Sequence, residues 1–215
     1  MRDIAILFGF IILGALSAGA VTLQTSTFTP DPGETIQLWA SEVPLGAKFL
    51  WDLNGDGVAD QVTDAPRIKW TVPEGTHEVR LTVTRDDQVI ASIAALIVAD
   101  PFIACWQTVR PSTGGALEVT VTIRAKAELS APGLELGIPT GWGWGQVLEP
   151  MDLYKTVGGK LVGTWALQLH PGDELSFRYL VHPASPGATF VFSGRATAYV
   201  GGRYHTVPIA GIIGP

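Results

Sequence analysis

Past residue 20 the chain alternates apolar and polar residues with period two, and this pattern restricts it to β-strands. Val79, Leu81 and Val83 alternate with Arg80, Thr82 and Thr84. Val119, Val121 and Ile123 alternate with Thr120, Thr122 and Arg124, and Leu175, Phe177, Tyr179 and Val181 with Ser176, Arg178, Leu180 and His182. Each set places one face in a core and the other towards solvent, as antiparallel sheets do. Turn signals punctuate the runs: Pro30-Asp31-Pro32-Gly33, Asn54-Gly55-Asp56-Gly57, Pro132-Gly133, Pro171-Gly172-Asp173 and Ser185-Pro186-Gly187. Short strands at this spacing predict sandwiches. The apolar run from Val89 to Val98 ends at Ala99-Asp100-Pro101, and a second series of strands starts near Phe102 and continues to Val207. Pro101 biases Asp100 towards an extended backbone, which suits a short, stiff link. The expected division is therefore 21–100 and 101–215.

Composition narrows the function classes. Hydrophobic residues make up 47% and charged residues 16%, enough apolar side chains for buried cores. The formal net charge is −6 and Lys and Arg are scattered, so no basic face for nucleic acid is expected. A single cysteine, Cys105, excludes an internal disulfide and a cysteine zinc cluster and reads as a small buried hydrophobe. Residues 1–20 read as a targeting segment: Arg2, an apolar run from Ile4 to Leu16, then the small residues Ala18-Gly19-Ala20. The run is short for a spanning helix, which needs about 20 apolar residues, so a cleaved signal is favoured over an uncleaved anchor. No cysteine follows the run, so no lipid anchor is expected. Export places the remainder in the envelope or outside the cell.

The segment Trp51-Asp52-Leu53-Asn54-Gly55-Asp56-Gly57-Val58-Ala59-Asp60 combines an apolar anchor with a polar turn. Trp51 belongs between sheets. Asp52, Asn54 and Asp56 can accept hydrogen bonds from turn amides, and Gly55 and Gly57 allow positive φ. The same residues match the first nine positions of a calcium loop, with Asp52, Asn54, Asp56, the Val58 carbonyl and Asp60 as ligands. Position twelve of such a loop is a bidentate Glu, whereas this chain has Thr63 there. That departure favours a hydrogen-bonded turn over a bound calcium. The Trp-Asp-x-Asn-Gly-Asp-Gly segment, followed by Pro73-Glu74-Gly75-Thr76-His77-Glu78-Val79-Arg80-Leu81-Thr82-Val83-Thr84, resembles the PKD domains of prokaryotic exoenzymes and surface proteins. The resemblance covers 21–100 and implies an immunoglobulin-like β-sandwich.

In the second half, Val119-Thr120-Val121-Thr122, Pro139-Thr140-Gly141-Trp142, Pro171-Gly172-Asp173-Glu174 and Pro186–Gly194 stand in sequence order. They resemble a second immunoglobulin-like repeat of secreted prokaryotic proteins, which implies spacing, display or adhesion. The full expectation is an all-β chain of two tandem immunoglobulin-like β-sandwich domains after the N-terminal segment. Gly141-Trp142-Gly143-Trp144-Gly145 offers Trp142 and Trp144 as a platform for sugar rings, if they are exposed.

No catalytic constellation is readable. The four histidines, His77, His170, His182 and His205, fall in no metal-ligand spacing, and no nucleophile elbow, phosphate loop or zinc-protease signature occurs. The leading expectation is a non-catalytic surface or secreted structural or adhesion module, partnered by envelope proteins, polysaccharide or a filament assembly. A carbohydrate-binding accessory module using the tryptophans and calcium is the alternative. A small glycosidase-like enzyme ranks third, because paired carboxylates are assembled in space and not in sequence.

Overall fold

The computed structural model describes residues 21–138, 141–184 and 193–214. The targeting segment 1–20, the Pro139-Thr140 turn and most of the Pro186–Gly194 stretch lie outside the described residues. What is described is almost wholly antiparallel strand, with one short 3-10 turn, Thr113–Gly115.

The first half contributes seven strands: β1 (Thr22–Thr25), β2 (Thr35–Ser41), β3 (Lys48–Asp52), β4 (Gln61–Thr63), β5 (Arg67–Thr71), β6 (Gly75–Arg85) and β7 (Gln88–Ala99). The second contributes β8 (Ile103–Pro111), β9 (Leu117–Ala125), β10 (Leu129–Gly137), β11 (Trp142–Glu149), β12 (Leu153–Val157) and β13 (Lys160–Thr164). It continues with β14 (Gln168–Leu169), β15 (Glu174–Pro183), β16 (Ser193–Val200), β17 (Arg203–Pro208) and β18 (Gly211–Gly214).

These strands form two antiparallel β-sandwiches. In the first, the sheet β1-β2-β5 packs on the sheet β18-β7-β6-β3-β4. Alternation selects the core: Ile36, Leu38 and Ala40 from β2 meet Phe49 and Trp51 from β3, Val79, Leu81 and Val83 from β6, and Ile93, Ala95 and Ile97 from β7. The β6–β7 hairpin turns through Asp86 and Asp87, both at positive φ, as a tight hairpin with right-handed strand twist requires. In the second, the sheet β11-β15-β9-β8 faces the sheet β12-β13-β10-β16-β17, with β14 beside β10. Its core holds Val119, Val121 and Ile123 against Phe177, Tyr179 and Val181, closed by Leu134, Leu136, Leu161 and Ala196.

The apolar tail after Val207 does something that periodicity did not reveal. β18 leaves the second sandwich and adds an antiparallel edge strand to β7 of the first, pairing Gly211 with Leu96 and Ile212 with Ala95. On the way, the Ala210 amide donates to the Cys105 carbonyl (2.9 Å) and the Gln107 amide donates to the Ala210 carbonyl (3.3 Å). The tail therefore grips both halves.

Candidate functional site

The aspartate loop, the tryptophan strand and the junction between the sandwiches each carry chemistry-bearing residues.

The loop joins β3 to β4 and is closed by its own amides. Trp51 is fully buried, and its indole Nε1 donates to Thr63 Oγ1 (3.1 Å). Asp52 is 5% exposed, and this decides its role. Its Oδ1 accepts from the Asn54 and Gly55 amides (3.2 and 2.7 Å), and its Oδ2 accepts from the Gly57 amide (2.9 Å). Asn54 Oδ1 accepts from the Asp56 amide, Asp56 Oδ1 from the Val58 amide, and Asp60 Oδ2 from the Leu53 amide. A carboxylate accepting several N–H bonds is well solvated by the chain even when buried. Gly55 (φ 74°) lies against Glu78, where an added Cβ would stand 3.1 Å from the Glu78 Cβ. Conformation and space therefore both select glycine at this position.

The five residues considered as calcium ligands are adjacent, and at least one side-chain oxygen of Asp52, Asn54, Asp56 and Asp60 accepts from a loop amide. Thr63, at the position where a bidentate Glu would sit, is held by Trp51 and donates to the Ala65 carbonyl (2.7 Å). Among the described residues no group of three or more His, Cys, Asp or Glu side chains is placed to hold a metal.

Trp142 and Trp144 lie on β11, opposite Pro183 and Val181 of β15. Two residues apart, they share a strand face, and that face is turned to the core. Both rings are half-buried, and Trp144 packs on Tyr179 with ring centroids 5.0 Å apart. Its indole N–H is enclosed without an acceptor among the described residues. Both rings pack against the buried core.

The junction holds a pairing that residue spacing hid. Asp100, between β7 and β8, uses Oδ1 to accept from the Phe102 and Ile103 amides (2.9 and 2.8 Å). Its Oδ2 contacts His205 Nε2 of β17 at 2.7 Å, and the His205 ring meets Phe102 edge-on. The two are 105 residues apart in sequence, so no local motif could signal them. Lys126 makes a second polar tie, donating to the Pro30 carbonyl (2.8 Å) and pairing with Asp31 (2.9 Å). The other histidines stay separate: His77 packs on Trp70, His170 pairs with Asp173, and His182 is exposed on β15. Cys105 is fully buried, and burial pushes its thiol far above the usual range. Its thiolate is therefore suppressed.

A scan against protein-family models finds no match, and no curated protein matches the sequence. Solved structures give weak likenesses. The major pilin SpaD of Corynebacterium diphtheriae is 16% identical with a TM-score of 0.40, over 77% of this chain and 57% of the pilin. A chitinase of Bacillus thuringiensis is 13% identical with a TM-score of 0.35, over 74% of this chain and 26% of the enzyme. The outer capsid protein Hoc of bacteriophage RB49, through its three N-terminal domains, is 10% identical with a TM-score of 0.30, over 88% of this chain and 57% of that one. The chain thus spans about a quarter of the chitinase and little more than half of the other two, and at these levels the likenesses carry no functional argument.

Proposed function

We propose that this protein is a non-catalytic structural module, exported by its N-terminal segment and displayed in the cell envelope or secreted. The first sandwich is a PKD-like unit, and the second is an immunoglobulin-like repeat that serves spacing or adhesion. One observation carries the reading. The polar groups that could have served chemistry in the loop and at the junction are engaged in holding the framework: Asp52 and Asp60 by loop amides, Asp100 and His205 by each other. Polar groups satisfied in this way rigidify the framework, as a spacer requires. The partners on this reading are envelope proteins or polysaccharide.

The test is fractionation of native cells, with surface protease shaving and N-terminal sequencing of the recovered protein. Recovery in the envelope or medium, with shaving of the folded part on intact cells, supports the proposal. Recovery of the intact chain from the cytoplasm overturns it.

A further inference from the structure

The outward face of the sheet β12-β13-β10-β16-β17 carries chemistry that the framework does not use. The ladder register defines its rows. Thr197 stands opposite Thr206 on one side and Gly133 on the other. The next row runs Pro208, Arg195, Glu135, Val162, Lys155. Ser193, Gly137 and Lys160 form the row beyond. On this face β10 presents only Glu135 between two glycines, so the middle of the sheet is lower than its flanks. The result is a shallow depression of about 370 Å³ bounded by Glu135, Lys160, Ser193, Arg195 and Thr206.

Charge and exposure give this depression a preference. Glu135 is already answered by Arg195, whose Nε and Nη2 lie 2.9 and 2.7 Å from its Oε2. Lys155 and Lys160 are exposed and enter no ion pair among the described residues. The face therefore sets three cations against one carboxylate, within a chain of formal charge −6. Farther along the same face, Tyr199 and Tyr204 form an exposed pair, 47% and 58% accessible, with ring centroids 5.6 Å apart. Arg195 and Tyr199 are four strand residues apart, about 13 Å at the usual rise.

We propose that this face binds an acidic polysaccharide whose sugars carry carboxylates, laid along the β16–β17 ladder. Tyr199 and Tyr204 take the apolar faces of sugar rings. Lys160 and the guanidinium edge of Arg195 not used by Glu135 take a carboxylate. Ser193 and Thr206 hydroxyls meet ring hydroxyls. An extended peptide fits less well. The backbone groups of an interior sheet face are already paired, so a peptide laid there would find no main-chain partners for its own amides. A neutral glycan would leave the cations unused. The inference rests on the surface reading only for where such a polymer would be met.

The test is titration of the full chain, by calorimetry and by amide chemical shifts, with tetragalacturonate, a neutral galactan tetrasaccharide and a poly-glutamate peptide. Tetragalacturonate should bind at least tenfold more tightly than the neutral sugar, and added salt should weaken it, because exposed charges are screened. Lys160→Gln should weaken the acidic sugar about fivefold and leave the neutral one unchanged. Tyr204→Ala should weaken both, with shifts centred on β16 and β17. Both side chains are exposed, so the variants should melt with the native protein. Absence of tetragalacturonate binding, binding indifferent to both variants, or tighter binding of poly-glutamate would each overturn the proposal. None of these outcomes bears on fractionation, so the surface reading fails or stands separately.

Discussion

Asp52 orders its turn through both carboxylate oxygens. Its two oxygens receive three loop amides, at 2.7, 2.9 and 3.2 Å, so the turn is ordered from within. Asp52→Ala would leave those donors unmet and should cost about 2–3 kcal/mol, read as a shift in the denaturation midpoint. Asp52→Asn keeps one acceptor and should cost less. The same geometry predicts that the melting temperature stays flat as calcium is added or chelated, since stabilisation by a bound ion would grow with its free concentration. A rise with calcium would show that the loop rearranges to admit the ion. Cys105 makes a second prediction at this scale. With the thiol buried and its thiolate suppressed, thiol reagents should label the native protein only at the rate of unfolding, and label the denatured protein at once. Labelling that is fast in native conditions would contradict the burial.

Strands and turns were largely legible in sequence because one face of each sheet is wet. Alternation in β6, β9 and β15 survives as a visible pattern, and the buried members are Val79, Leu81, Val83, Val119, Val121, Ile123, Phe177, Tyr179 and Val181. The apolar tail is legible as a final edge strand, but the partner of β18 is set by topology. An apolar tetrapeptide can edge either sandwich, and only the passage of Ile209-Ala210 beside β8 decides that it reaches β7. A glycine-spaced tryptophan pair on β11 does not reveal in sequence which face is covered; in the fold Trp144 packs on Tyr179. Trp144→Ala should therefore act on stability, by about 2–3 kcal/mol for a half-buried ring, and not on any glycan affinity. The outward face of β10 was equally hidden, since its depression needs four strands in register. Removal of residues 209–215 belongs to this scale too. It strips the edge from β7 and should promote self-association, measured by sedimentation, as unpaired edges do.

At the scale of the whole molecule, the question is whether two sandwiches behave as one unit. Ties among the described residues cross the junction. β18 pairs with β7 after its chain has bridged to β8, Asp100 joins the linker to His205, and Lys126 reaches back to Pro30 and Asp31. Apolar residues from both halves also belong to one continuous buried cluster. Ties of this kind couple unfolding, because neither half can open without breaking contacts that stabilise the other. Scanning calorimetry of the intact protein should therefore give a single transition, with calorimetric and van't Hoff enthalpies in agreement. Asp100→Ala removes both turn caps and the His205 contact, and combined with loss of the tail strand it should split the transition into two. His205→Ala alone, which keeps the turn caps, should lower the midpoint without splitting it. Two transitions in the unaltered protein would mean that the halves are linked but not coupled, and that the tail is an ornament of the first sheet and not its clamp.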